Sequence, residues 1–159
     1  MINSNRLAYT LDKKLYLNIT NACPCDCVFC IRHIGNGVGS ADTLWLDKQP
    51  HFEDMKSVLS AYHLTAYKEI VFCGYGEPTC ALDLLLDTCS LLKSAESPPL
   101  RLNPNGLGDL INKKHIPPLF EGFLDSVSVS LNAPTQEAYL AITRPSFGEA
   151  SFEAMLKFA

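Results

Sequence analysis

The chain has 159 residues, of which 47% are hydrophobic and 19% charged, a composition typical of one globular domain with a buried core. Its formal net charge is -4 and its Lys and Arg residues never cluster beyond adjacent pairs, which argues against general binding to nucleic acid. Residues 1–15 contain charges and no long apolar run, so we expect a cytoplasmic protein without a signal peptide or membrane anchor, folded as a single domain over residues 1–159.

Short apolar segments alternate with helical patterns along the chain. In chain order the sequence predicts a strand at 15–20, a helix at 52–66, a strand at 69–73, a helix at 85–92, a strand at 100–105, short helices at 107–112 and 118–123, a strand at 126–131 and a helix at 152–158. Strands that alternate with helices form parallel sheets, whose ligand sites lie beyond the carboxyl ends of the strands. The glycine-rich segment 33–50 has neither pattern, and we expect it to be a loop that covers this site.

The predicted strands have two different faces. In the first strand Leu15 shares a face with other apolar residues, while Tyr16 and Asn18 lie on the opposite face. In the fourth strand Val127, Val129 and Leu131 are expected to face the helices, and the serines that alternate with them the other side. An apolar face and a polar face are therefore expected along the whole sheet.

A polar inner face is unlike a closed barrel, which fills its interior with branched apolar side chains. We therefore predict an α/β fold, a partial open βα barrel with parallel strands and about four βα units. Tyr16, Asn18 and Arg101 would then line the lumen and face a substrate. An ordinary sheet with one solvated face is the alternative.

Four of the seven cysteines lie within residues 23–30, directly after the first predicted strand. Cys23, Cys27 and Cys30 have the spacing Cys-x3-Cys-x2-Cys, and tight cysteine spacing in a cytosolic chain indicates metal or redox chemistry. Three thiolates can bind three irons of a cubane cluster and leave the fourth iron without a protein ligand. Two alternatives stay open: a zinc site that includes Cys25, and a redox pair formed by Cys27 and Cys30.

A second motif follows the second predicted strand, at the same edge of the sheet. It consists of Gly74, Tyr75, Gly76 and Glu77, in which the glycines permit a close backbone approach and the carboxylate can accept a charge-assisted hydrogen bond. The ends of the third and fourth predicted strands add amide and hydroxyl groups that could bind a polar cofactor. These groups belong to Asn103, Asn105, Ser130 and Asn132.

The cysteine loop, with Phe29 before its last cysteine, resembles that of the radical S-adenosylmethionine (radical SAM) superfamily. The resemblance implies a [4Fe-4S] cluster on Cys23, Cys27 and Cys30, with S-adenosylmethionine on the open iron. It further implies reductive cleavage of this cofactor to a 5′-deoxyadenosyl radical that abstracts hydrogen from a substrate. The segment around Glu77 resembles the Gly-Gly-Glu-Pro motif that binds the methionine ammonium in this superfamily, with Tyr75 in place of the first glycine, and the remaining cofactor-binding residues are assigned on the same resemblance.

The order of the motifs resembles that of the TatD-linked radical SAM proteins. The resemblance rests on NITN before the cysteines, GYGEPT, RLNPNG, VSLNAP and the late Arg-Pro pair. It implies a low-potential electron donor such as flavodoxin or ferredoxin, and suggests a TatD-type hydrolase as a partner. Members of the superfamily usually have six units, so we expect a chain that lacks its C-terminal units. A truncated cluster-binding remnant or partner subunit without turnover is therefore an alternative to an enzyme, and a zinc or thiol structural module is a second.

Overall fold

A computed structural model describes residues 3–35 and 37–159, so residues 1, 2 and 36 lie outside the described residues. The described strands form a single sheet in which spatial order follows chain order. They are β1 (Ala8–Leu11), β2 (Lys14–Leu17), β3 (Ile70–Phe72), β4 (Leu100–Leu102) and β5 (Ser126–Val127). β1 and β2 form an antiparallel hairpin, and β2 to β5 run parallel. The α/β class and the mostly parallel sheet are thus confirmed, and the sheet is consistent with a partial open barrel.

The helices of the described residues lie mainly in the connections between the strands. They are α1 (Ser4–Leu7), α2 (Phe52–Leu59), α3 (Leu82–Ser94), α4 (Gly108–Asn112), α5 (Gln136–Thr143) and α6 (Ala150–Phe158). Short 3-10 turns occupy Ile31–His33, Leu64–Ala66, Pro78–Ala81 and Pro117–Phe120. In the part of the chain that the structure describes, no helix is long and apolar enough to cross a bilayer.

The main core lies between one face of the sheet and the helices packed on it. The register aligns Leu15 with Ile70 and Ile70 with Leu100, and all three side chains are inaccessible to solvent. Full burial of a side chain of this size stabilises the fold by roughly 1.5–3 kcal/mol. The same register places Tyr16 level with Arg101 on the opposite, more polar face, as the alternation predicts.

The fourth predicted strand is shorter and more exposed than its sequence suggests. Only Ser126 and Val127 pair with β4, and β5 has no strand on its other side within the described residues. Val127 is level with buried Leu102 and Val129 packs against the core, but Val127 is 43% exposed and Leu131 is 50% exposed, so the expected apolar face is only partly covered. This exposure follows from the position of β5 at the edge of the sheet, because an edge strand has a neighbour on one side only and its outer residues need not be covered.

Helix α1, the β1–β2 hairpin and helix α5 were not predicted from the sequence. The hairpin that joins β1 to β2 turns at Asp12 and Lys13, both with positive φ, as a two-residue hairpin requires. Helix α5 begins at Thr135, whose Oγ1 accepts a hydrogen bond from the Ala138 backbone N–H. Conversely, the predicted helix at 52–66 is split into α2 and a separate 3-10 turn at Leu64–Ala66.

Candidate functional site

The cysteine loop follows β2, which places it at the carboxyl edge of the parallel strands. Backbone hydrogen bonds attach it to the segment that ends α5: the Val28 N–H donates to the Ile142 carbonyl over 2.9 Å, and the Ser146 N–H donates to the Pro24 carbonyl over 2.8 Å. Cys25 forms an isolated antiparallel bridge with Pro145 between these two contacts. The unpredicted helix α5 therefore holds the loop from a position more than 100 residues further along the chain.

The four thiols of the loop lie in different environments. Cys25 is only 5% exposed, whereas Cys23, Cys27 and Cys30 are half-buried. Hydrogen bonding with the Cys25 thiol lowers the pKa of Cys23 to about 7 and also lowers the pKa of Cys27. Hydrogen bonding with Cys23, and to a smaller extent with Cys27, raises the pKa of Cys25. The pKa of two predicted ligands is thus shifted toward the thiolate, the form that binds metal, and the pKa of Cys25 is shifted away from it.

Arg32 contacts the third predicted ligand. Its Nε donates to Cys30 Sγ over 3.3 Å and its Nη2 donates to the Cys25 carbonyl over 2.9 Å. The guanidinium carbon also lies 6.0 Å from the ring centre of Trp45, which in turn makes an edge contact with Tyr75. The segment 33–50 therefore contributes an aromatic side chain beside the cysteine loop, as its position predicts.

The glycines of the second motif are needed because the backbone passes very close to neighbouring atoms. A Cβ on Gly76 would overlap the Thr20 carbonyl oxygen and lie 2.8 Å from the Ala22 carbonyl oxygen. A Cβ on Gly74 would overlap the Asn18 side chain. This part of the chain after β3 is thus packed directly against the segment that leads into the cysteine loop, so the two motifs form one unit.

Glu77 is buried, with 4% of its surface exposed, and its carboxylate is occupied by internal hydrogen bonds. Oε1 accepts from the Thr79 N–H over 3.0 Å and from Thr79 Oγ1 over 2.7 Å, and Oε2 accepts from the Asn105 N–H over 2.7 Å. Burial raises the pKa of Glu77, while these hydrogen bonds oppose the shift. Glu77 therefore links the second motif to the end of β4, a structural role that the sequence did not predict.

Asn105 lies close to the cysteine loop, as predicted. Its Nδ2 is 3.7 Å from Cys25 Sγ, and its Oδ1 accepts from the Leu107 N–H over 2.9 Å. Burial raises the pKa of Cys73, and a hydrogen bond with the Asn103 side chain offsets part of this rise. The Oδ1 of Asn103 is buried without a partner among the described residues, so it could accept a hydrogen bond from a bound group.

The other predicted cofactor residues are less enclosed. Ser130 and Asn132 are exposed on the segment after β5, and Phe29 is 49% exposed beside Cys30. Asn132 has a positive φ of 63°, which an asparagine tolerates in a turn. The structure therefore brings Glu77 and Asn105 to the cysteine loop and leaves Ser130 and Asn132 at the open edge of the sheet.

The residues expected to face a substrate are largely engaged within the protein. Both amide hydrogens of Asn18 donate to backbone carbonyls, and its Oδ1 accepts from the Tyr75 N–H over 3.2 Å. Arg101 Nη1 lies 3.7 Å from Glu69, which also pairs with Lys14 at 2.8 Å near the amino ends of the strands. Tyr16 is half-buried and stacks on another tyrosine of the hairpin, and the Arg101 Nε has no hydrogen-bond partner among the described residues.

The donor set of the loop, three half-buried thiols, fits an iron-sulfur cluster. In residues 3–35 and 37–159, no three His, Cys, Asp or Glu side chains converge closely enough to hold one metal ion. A cubane cluster has a different requirement, because each thiolate binds a different iron and the three sulfurs are set further apart. Cys23, Cys27 and Cys30 are half-buried thiols of one loop, and the orphaned oxygen of Asn103 lies at the end of a neighbouring strand.

Comparison with protein families places this geometry in a known group. The family model described as the radical SAM superfamily matches residues 17–159, which include β3 to β5, the cysteine loop and the second motif. Searches of curated proteins and of solved structures found no match. The matched region covers most of the sequence, and the chain therefore belongs to the radical SAM superfamily.

Proposed function

We propose that this chain binds a [4Fe-4S] cluster on Cys23, Cys27 and Cys30 and uses it with S-adenosylmethionine in radical chemistry. The observation that carries the proposal is the placement of three half-buried thiols in one loop, which backbone hydrogen bonds hold against residues 142–146. The loop also lies at the carboxyl edge of the sheet, where parallel α/β folds bind their ligands. When bound, cluster and cofactor supply a reaction that begins with a one-electron reduction of the sulfonium.

The chain's own residues would hold the cofactor in place. The orphaned Asn103 Oδ1 can accept a hydrogen bond from an ammonium or hydroxyl group of the cofactor. The backbone carbonyls of Gly74 to Gly76 lie in a closely packed loop beside the cysteines, and they are further acceptors for the methionine ammonium. The second carboxylate oxygen of Glu77 accepts only one internal hydrogen bond, so it has capacity for another.

Two other functions have an observation in their favour. The exposure of Ser130 and Asn132 supports a cluster-carrying subunit or remnant that binds the cofactor weakly and does not turn over. The position of Cys25 beside Cys23 and Cys27 supports a thiol-rich structural site, for which zinc is the usual metal. The metal content and the response to cofactor distinguish these two functions from the first.

We would test the proposal by anaerobic reconstitution of the chain with iron and sulfide, followed by electron paramagnetic resonance of the reduced protein. The expected result is about four irons per chain, as in a [4Fe-4S] cluster, and a signal that changes when S-adenosylmethionine is added. Cys27→Ala should abolish the signal. Cys89→Ala is the matched control, because Cys89 is a buried thiol on α3, away from the loop, and its loss should leave the signal intact.

Each alternative gives a different outcome in this experiment. Zinc in place of iron would reject the proposal and support the structural module. A cluster that ignores S-adenosylmethionine, or a cofactor response without formation of 5′-deoxyadenosine, would support the cluster-carrying subunit. We propose a low-potential donor such as flavodoxin or ferredoxin as the source of the electron, and the TatD-linked resemblance makes a TatD-type hydrolase a candidate partner for a pull-down.

A further inference from the structure

Arg32 is the charged side chain most closely associated with the predicted cluster ligands. Three contacts fix its guanidinium: the hydrogen bond to Cys30 Sγ at 3.3 Å, the hydrogen bond to the Cys25 carbonyl at 2.9 Å, and the face of Trp45 at 6.0 Å. The side chain is half-buried, so these contacts are partly shielded from water. A long flexible cation is thereby held in one position beside a single sulfur.

The contact is selective among the cysteines of the loop. The sulfurs of Cys23 and Cys27 interact with the thiol of Cys25, whereas the sulfur of Cys30 receives the Arg32 N–H. Among the three predicted ligands, Cys30 is therefore the one whose sulfur receives a cationic N–H donor in the described structure. This asymmetry is set by the protein before any metal is bound.

We propose that Arg32 is a positioning residue that holds the Cys30 sulfur in place for the cluster and raises the cluster's reduction potential. The inference rests on the proposed function, since it concerns the cluster assigned to Cys23, Cys27 and Cys30. Hydrogen bonds to cysteine sulfur and nearby positive charge both stabilise the reduced cluster, which carries one more negative charge. Without Arg32 the cluster would be harder to reduce and would demand a stronger electron donor.

The planar guanidinium matters as well as its charge. Nε and Nη2 point in fixed directions, which lets one side chain bind a sulfur and a carbonyl at the same time. A lysine in this position would keep the charge but could not reproduce both contacts in the same geometry. The two parts of the effect can therefore be separated with two variants. Arg32→Met removes both the charge and the paired N–H donors, whereas Arg32→Lys keeps the charge and removes only the paired donors.

Arg144 provides the matched control. It lies on the segment that pairs with the cysteine loop, carries the same charge and ion-pairs with Asp26 at 3.9 Å, but its side chain is 60% exposed. No hydrogen bond joins it to a cysteine sulfur in the described structure. Arg144→Met therefore removes one positive charge from the same region without removing an N–H donor to sulfur.

The test is the midpoint potential of the reconstituted cluster, measured by redox titration with electron paramagnetic resonance, together with iron content and circular dichroism. Arg32→Met should shift the reduction equilibrium at least tenfold toward the oxidised cluster, which is about 59 mV for a one-electron couple. Arg32→Lys should shift it in the same direction by a smaller factor, and Arg144→Met should change it less than twofold. A variant of Arg32 that folds but loses iron, while Arg144→Met retains it, would support the positioning role.

The outcomes separate this inference from the function on which it rests. If the unaltered chain binds no iron-sulfur cluster, both proposals are rejected. If it binds a cluster and Arg32→Met has an unchanged potential and full iron content, the role of Arg32 is rejected and the proposed function stands. An equal shift in Arg32→Met and Arg144→Met would also reject the inference, because general charge would then explain the effect.

Discussion

Replacement of Glu77 by Gln tests whether this buried carboxylate links the second motif to the end of β4. The carboxylate accepts three internal hydrogen bonds, two on Oε1 from Thr79 and one on Oε2 from the Asn105 N–H. A glutamine offers one carbonyl oxygen and one NH2 group, so in either orientation its NH2 faces a backbone N–H donor. At least one hydrogen bond is lost at a site with 4% exposure, and a buried unsatisfied donor costs about 1–3 kcal/mol.

The cost should depend on pH in a defined direction. Burial raises the pKa of Glu77 above its value in the unfolded chain. A carboxyl with a raised pKa stabilises the fold most below the unfolded pKa, near 4.3, and loses this contribution as pH rises through the folded pKa. Glutamine does not titrate, so the difference in stability between the unaltered chain and Glu77→Gln should be larger at pH 5 than at pH 8.

Urea unfolding at both pH values, followed by circular dichroism, measures this difference. Glu121→Gln is the control, because Glu121 is exposed and its side chain makes no hydrogen bond in the described structure, and it should unfold within about 0.5 kcal/mol of the unaltered chain. A cost that grows from pH 5 to pH 8 would refute the reasoning, since it would mean that the fold favours the ionised carboxylate. A cost below about 0.5 kcal/mol at both values would refute the structural role itself.

Three further predictions concern the same region. Gly76→Ala should destabilise the chain by about 3 kcal/mol and reduce cluster content, because its Cβ would meet rigid backbone atoms. The control Gly122→Ala should cost only about 1–2 kcal/mol, because Gly122 has open space around it and only its positive φ is unfavourable for alanine. Equal urea midpoints for the two variants would contradict the prediction. Cys25→Ala should retain most of the iron that Cys27→Ala loses, and a complete loss in colorimetric iron analysis would make Cys25 a ligand. Asn18→Leu should lower the free energy of unfolding by about 2–4 kcal/mol, because it orphans two backbone carbonyls and one N–H; a change under about 1 kcal/mol would show that water replaces those bonds.

The sequence predicts the central part of the sheet well because its signal is strong there. Leu15 and Leu17 alternate with polar residues, and both are completely buried on the expected face. Their partners in β3 and β4 are equally apolar and are flanked by small or polar residues. Alternation of this kind depends only on the two-residue period of a strand, so it can be recognised without tertiary information.

The sequence is less informative where tertiary contacts decide the structure. The turn at Asp12 and Lys13 has positive φ at both residues but lacks the glycine that usually marks such a hairpin. Helix α5 ends at Arg144, which also adopts a positive φ in place of a C-terminal glycine. Its role could not be predicted either, since the contacts between Cys25 and Pro145 are made through backbone and leave no residue pattern.

The candidate site also has a part that the sequence predicts and a part that tertiary contacts decide. The spacing of the cysteines and the glycines near Glu77 indicates the right loops at the right edge of the sheet, and the family match supports this. The chemical partners of each side chain could not be predicted, because they come from distant parts of the chain. Arg32 is the exception, since it follows Cys30 by two residues, and a cation so close to a predicted ligand could have been noticed in the sequence.

The clamped cysteine loop has a consequence for how a cluster would bind. Backbone hydrogen bonds to the Ile142 carbonyl and from the Ser146 N–H hold one side of the loop, and the close approach of Gly76 to Thr20 and Ala22 fixes its entrance. Ordering a residue's backbone costs about 1–2 kcal/mol, so a loop of this length that was disordered before binding would lose several kcal/mol of its affinity. In this fold the loop is already ordered by contacts that do not involve the thiols, so that metal binding does not have to order it. A substitution that breaks one of these backbone contacts, such as Gly76→Ala, should therefore weaken metal binding even though it touches no cysteine.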